Sequence, residues 1–191
     1  MRIDAAAVWS GERTMAYLAA GYDLDDLRRL TDGLIDEALG IVDGLPDGDV
    51  VFVPVDPDAD DPGAAGEEAA MPWTIGHVVV HATAGSEEGA AAALTLARGA
   101  PLEGRPRYEV PWETVTTIGQ VVHRLEESRR MRQAMLAAWP DEPHLDNAVV
   151  LVERLGPLNA TGRYLLGLMH EEGHLPQLAE IARQARAARG T

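Results

Sequence analysis

Apolar residues in this chain recur at close to the 3.6-residue spacing of an α-helix over four separate stretches, and that repeated period is the strongest constraint on its fold. Between positions 12 and 42 they fall at Met15, Leu18, Leu27, Leu30, Leu34, Ala38 and Ile41, with Gly21 as a break, so the spacing predicts one interrupted helix. A second helix is expected after Pro72 and Trp73, with Thr74 as its cap. It runs through Ile75, Val79, Ala82 and Ala92 to Arg98, where Gly99 supplies a stop. The third spans 112–139 and ends before Pro140, because the residue preceding a proline avoids the helical region. The fourth runs over 159–189, and its Arg183, Arg186 and Arg189 suit the negative end of the helix dipole.

The connections shape the expected topology. Residues 45–72 are rich in proline, glycine and aspartate, carry a short β-like run at Val50-Val51-Phe52-Val53, and read as a long crossover. Residues 101–111 form a further loop and 140–158 a second long connection, so helices adjacent in sequence need not be simple antiparallel hairpins. The expectation is an all-α fold, a four-helix bundle with long crossover connections, in one domain over residues 1–191. Such bundles build metal sites from side chains on facing helices.

Residue usage removes several chemistries. The chain has no cysteine and no lysine, all 16 basic residues being arginine. Thiolate metal sites, cysteine nucleophiles, Schiff bases and a phosphate-cradling P-loop therefore lack the residues they require. A formal charge of −15 argues against nucleic acid as a partner. No window approaches the roughly 20 apolar residues of a bilayer span, and the N-terminus has no long apolar run. The expected protein is soluble and cytoplasmic, acts on a small molecule, and has neither nucleic-acid nor membrane partners.

Against that background, His170-Glu171-Glu172-Gly173-His174 carries the most chemistry. Residues four apart lie one above the other on a helix, so both imidazoles can reach one ion. Read literally, the run is the H-E-x-x-H of zinc peptidases, in which the glutamate is the general base. The extended peptidase pattern wants glycine and histidine where this chain has Gln177 and Glu180, and a more distant carboxylate runs out of chain. The stripe Leu166, His170, His174, Gln177 and Ile181 borders the apolar Leu158, Leu165, Leu168 and Leu175, which puts the imidazoles at the edge of the core. Two uncompensated rings there would be costly, so either a metal or packing must account for them.

A second pair with the same spacing, His77 and His81, lies in Trp73-Thr74-Ile75-Gly76-His77-Val78-Val79-Val80-His81. Taken together, W-[ST]-[aliphatic]-G-x-x-x-x-H on the second helix and H-x-x-x-H on the last resemble the DinB-like (damage-inducible) superfamily of metal-binding four-helix bundles. The likeness covers nearly the whole chain, including Arg105-Pro106-Arg107-Tyr108-Glu109-Val110-Pro111-Trp112-Glu113 and 125–132. It implies that His81, His170 and His174 are the metal ligands, outside any peptidase scheme. His77 is not in the family triad, and is a fourth ligand, a supporting group or a surface histidine. One departure is Ser86, which stands where relatives often carry glutamate; Glu87 and Glu88 follow it.

Three imidazole ligands leave a coordination position open and suit several divalent transition metals, with zinc or nickel leading. The resemblance implies a metal-dependent enzyme, a thiol-dependent S-transferase or a hydrolase, with a low-molecular-weight thiol such as bacillithiol or mycothiol as a second cofactor. A homodimer is compatible with it. The alternatives are a non-catalytic metal-binding stress-response protein, a purely structural bundle and, less readily, a zinc peptidase. Arg105, Arg107, Arg129 and Arg130 are candidates for an anionic substrate group or, equally, for surface pairing with Glu126 and Glu127. His123 is expected in an exposed pair with those glutamates, and His144 in a loop. Asp56, Asp58, Asp60 and Glu67 match the first, third, fifth and twelfth positions of a calcium loop, but Asp61 replaces the required glycine, so a solvated acidic loop is expected. Pro176 should bend or loosen the last helix beside His174.

Overall fold

The computed structural model describes residues 3–56, 71–104 and 110–190. Among them it contains three short helices, α1 (Ala6–Trp9), α2 (Met15–Ala19) and α4 (Asp47–Val50), and four long ones. The long helices are α3 (Leu24–Val42), α5 (Ile75–Ala97), α6 (Ile118–Ala137) and α7 (Ala160–Arg189). Single 3₁₀ turns occur at Trp112–Thr114 and Glu153–Leu155, and the described residues hold no strand beyond an isolated bridge between Val149 and Leu158. None of the described helices is long and apolar enough to cross a membrane.

Each long helix begins where a side chain answers its first free amides. Asp23 and Asp26 cap α3 reciprocally, Thr117 and Gln120 do the same for α6, and Thr74 and Asn159 accept from the amides of His77 and Gly162. The expected break near Gly21 falls between α2 and α3, and Thr74, Gly99 and Asn159 bound their helices as the sequence predicts. The third long helix starts later than expected. Thr116 and Thr117 both engage Gln120, and this capping arrangement sets the start of α6 at Ile118, leaving Trp112–Thr114 as a separate turn. The β-like run at 50–53 is also corrected. Val50 is buried at the end of helical α4, whose Asp49 pairs with Arg189 at 3.0 Å, while Val51 and Val53 lie exposed.

Helix α5 packs on α7 and α6, and α3 packs on those same two helices, so α3 and α5 stand across one diagonal and α6 and α7 across the other. Tertiary contacts fix the directions. Thr31 meets Tyr164 and Ile41 meets Arg186, so α3 and α7 run parallel. Thr83 meets Arg124 and Arg98 meets Ala138, so α5 and α6 are also parallel. Glu88 meets Arg163 and His81 meets His170, which makes α5 and α7 antiparallel. Helices α3 and α5, and likewise α6 and α7, are therefore consecutive long helices on a diagonal, and the residues just ahead of α6 bring Val115 against Gly76.

The core fills the space between these four helices with Leu27, Leu34, Val79, Leu125, Leu165 and Leu168 among its side chains. Arg186 lies in the last turn of α7, as expected for its helix dipole, and also donates to the carbonyls of Ile41 and Asp43 at the C-terminal end of the parallel α3. Helix α7 continues through Pro176, which lacks the amide that would serve the Glu172 carbonyl.

Candidate metal centre

Where α5 and α7 cross, both helices give up side-chain volume. A Cβ on Gly89 would lie 3.1 Å from the Gly167 Cα, and one on Gly167 would lie 3.2 Å from the Ser86 Cα. This close approach lets side chains from the two helices reach a common point, and His81 meets His170 and His174 there.

The Nε2 atoms of His81 and His170 are 3.0 Å apart, and those of His174 and His170 are 3.3 Å apart. One ring nitrogen from each histidine lies within 4.8 Å of the other two, and all three side chains are half-buried. The rings are splayed: His81 and His174 stand at 78° and His170 and His174 at 71°. Two nitrogens bound about 2.0–2.1 Å from one ion at about 90–110° would be about 2.8–3.4 Å apart, so the observed spacings fit a shared transition-metal ion. A ring nitrogen offers either one proton or one lone pair, and His170 Nε2 faces two neighbours of its own kind. A cation answers that convergence better than hydrogen bonding does.

The surroundings favour the same protonation pattern. Gln177 Oε1 lies 2.9 Å from His174 Nδ1; the amide oxygen accepts, which places the proton on Nδ1 and leaves the Nε2 lone pair aimed inward. His170 is seated by a missing side chain, since a Cβ at Gly85 would come within 2.6 Å of its Nδ1. Gly85 is four residues beyond His81, one turn along the same helix face, and that spacing is the sequence signal that could have identified it.

Trp73 covers the cluster. Its ring centroid is 4.7 Å from that of His81 and 5.6 Å from that of His174. His77, for which a fourth ligand, a supporting group and a surface histidine were the open readings, is buried and stacked between Trp73 at 4.4 Å and Trp112 at 4.5 Å, which corrects the surface reading. His77 and His81 are one turn apart on α5 and share a face of it, and Trp73 joins them from just ahead of the Thr74 cap.

Glu171 has a different task from the peptidase base. It is buried, accepts from Arg132 at 2.5 and 3.3 Å, and accepts from Ser86 Oγ at 2.8 Å. Ser86, at the position where a glutamate was expected from relatives, also donates to the Gly167 carbonyl at 2.9 Å. Glu87 pairs with Arg124, and Glu88 with Arg163 at 3.2 Å, so a layer of buried ion pairs lies beside the histidines. Burial of Arg124 lowers its pKa from the ordinary guanidinium value.

The remaining candidates separate from the site. Arg129 pairs with Asp36 at 2.6 Å and with Glu126 at 3.1 Å, and Arg130 pairs with Glu127, so both serve surface pairing. Those partners replace the pair expected for His123, which lies exposed. His144 donates its backbone amide to Ala97 at the end of α5. Arg105, Arg107, Asp58, Asp60 and Glu67 lie outside the described residues.

The family model of the DinB superfamily matches residues 29–178, a span holding the α5–α7 crossing and all three converging histidines. No curated protein and no solved structure matches the chain.

Proposed function

Because the chain belongs to the DinB superfamily and three of its imidazoles converge on one point, we propose that His81, His170 and His174 hold one divalent transition-metal ion, zinc or nickel. On this reading the protein is a metal-dependent transferase or hydrolase acting on a small molecule. The convergence of ring nitrogens at 3.0 and 3.3 Å carries the proposal. When bound, such an ion supplies Lewis acidity that eases proton loss from a thiol or a water. A low-molecular-weight thiol suits a chain that has no cysteine of its own.

The protein's side chains then have distinct duties. His81 brings α5 to the site, while His170 and His174 bring α7. Gln177 holds the His174 ring by its outer nitrogen. Trp73 excludes water from one side, which strengthens electrostatic interactions within the site. Glu171 ties α7 to α6 through Arg132, so the zinc-peptidase reading loses its base.

Elemental analysis of the purified chain tests the proposal. The expected result is about one transition-metal ion per chain, lost in His81→Ala, His170→Ala and His174→Ala while helical circular dichroism persists. A metal-free wild type whose melting is indifferent to chelator would leave the histidines as packing groups. Turnover is checked with electrophiles offered with and without a low-molecular-weight thiol. A bound metal with no turnover would favour the non-catalytic metal-binding reading.

A further inference from the structure

Four aromatic rings stand in series on the α5 side of the histidine cluster. Trp112 stacks on His77 at 4.5 Å and 4°, His77 on Trp73 at 4.4 Å and 20°, and Trp73 on His174 at 5.6 Å and 23°. The same indole meets His81 at 4.7 Å and 55°. Two of the three converging imidazoles therefore rest on Trp73, and Trp73 rests on His77.

The sequence builds this series from both ends. Trp73 directly precedes the Thr74 cap of α5 and His77 lies in the first turn, where the Thr74 hydroxyl accepts from the His77 amide at 3.3 Å and so fixes the turn that carries His77 beside the indole. Gly76 admits the far end, because a Cβ there would overlap the Val115 carbonyl. That contact brings the segment ahead of α6 close enough for Trp112 to stack on the other face of His77.

We infer that Trp73 and His77 are positioning residues of the metal centre. Their stacked rings hold His81 and His174 in ligating orientation, and His77 acts through its flat ring and not as a ligand. An imidazole on a half-buried helix face can turn about two side-chain bonds, and each turn removes its nitrogen from the common point. Gln177 fixes His174 at one nitrogen and Gly85 seats His170, while the Trp73 indole packs on His81 and His174 together. The inference rests on the proposed metal site and adds to it a support that the ligand set alone does not include.

Cobalt(II) added to the metal-free full chain is the probe, read by its affinity and its visible absorption. His77→Phe keeps a flat ring and removes both nitrogens, so it should bind cobalt as tightly as the wild type with the same spectrum. His77→Ala should weaken binding about tenfold or more and alter the spectrum, as loss of support around metal-ligating histidines does. Should His77→Ala not fold, Trp73→Phe against Trp73→Leu asks the same question, with the phenylalanine variant expected to retain binding. Equal losses in His77→Phe and His77→Ala would assign the work to a nitrogen and overturn the inference. Wild-type binding in His77→Ala, with the wild type itself taking up cobalt, would overturn it while leaving the metal site standing. A wild-type chain that takes up no cobalt would overturn both.

Discussion

Along the α5–α7 seam, the level of Ser86 to Glu88 and the level of His81 bury polar side chains in opposite ways. At the first, three carboxylates meet three guanidiniums: Glu171 with Arg132, Glu88 with Arg163, and Glu87 with Arg124. Each charge has a counterpart, and the Ser86 hydroxyl adds a hydrogen bond to Glu171. At the second, three groups of the same kind point at one another. The first level is electrostatically closed and leaves no demand for a ligand. The second could hold a metal ion, and on the proposed reading this contrast separates polar groups that hold the fold from polar groups that hold a ligand.

Breaking the closed level should have the largest effect. Arg132 and Glu171 are almost fully buried, so Glu171→Ala leaves a guanidinium without its counter-charge and should cost about 3–5 kcal/mol. Chemical denaturation reads this directly. Replacing both partners, as in Arg132→Met with Glu171→Leu, should recover much of the loss, because two apolar side chains remove the uncompensated charge. If the double variant were as unstable as the single, the pair would matter for its shape and the comparison with the histidine level would weaken.

A neutral buried polar pair offers an intermediate case. Tyr164, across the bundle against α3, shares a 2.8 Å hydrogen bond with Thr31, and burial pushes its phenol up to about 12 from an ordinary value of 10.0. In the unfolded chain the phenol ionises as pH rises past 10, while the folded chain keeps its proton until about 12. The folded state then binds more protons, so stability present below pH 10 declines between pH 10 and 12, by on the order of 2–3 kcal/mol. Tyr164→Phe should flatten that alkaline decline. An unchanged pH profile in the variant would place the titrating group elsewhere.

Much of the second level was legible because it depends on spacing within single helices. Thr74 and Gly99 marked the ends of α5, and the four-residue interval in His170 and His174 showed which rings share a face. The partners across the seam were not legible. Nothing local says that Glu171 turns to Arg132 on α6, or that Trp112, ahead of α6, lies on His77. Those contacts join residues 35 to 39 positions apart and depend on helix directions that crossover connections conceal. The run 50–53 misled for a related reason: its β-branched and aromatic residues suit a strand, but Val50 buries its side chain at the end of a helical turn against the bundle.

The open level can be disturbed without removing a ligand. In Gly85→Ala the new methyl would sit 2.6 Å from His170 Nδ1 and 2.8 Å from its Cε1, so the ring must move. The expected cost is about 1–3 kcal/mol of stability, the usual result of forcing extra volume into a packed site. Metal affinity should fall about tenfold if, as proposed, the displaced ring is a ligand. Isothermal titration with zinc measures the affinity. Undiminished affinity would mean that His170 reaches the site from another rotamer and that the glycine is not its seat.

The smallest expected effect supplies the reference for that measurement. Gly33 lies inside α3, and a Cβ there meets nothing within 4 Å. Gly33→Ala therefore gains only the intrinsic helix advantage of alanine, about 0.5–1 kcal/mol, by restricting the unfolded chain, and should leave zinc affinity unchanged. Gly85→Ala carries the same backbone gain, so the difference between the two variants isolates the collision with His170. A rise in the denaturation midpoint for Gly33→Ala beside a fall for Gly85→Ala would show that the seam lacks a side chain at 85 because the imidazole occupies its place. Equal rises would mean that the contact at His170 yields without cost, and that the histidine level is as tolerant of substitution as the exposed face of a surface helix.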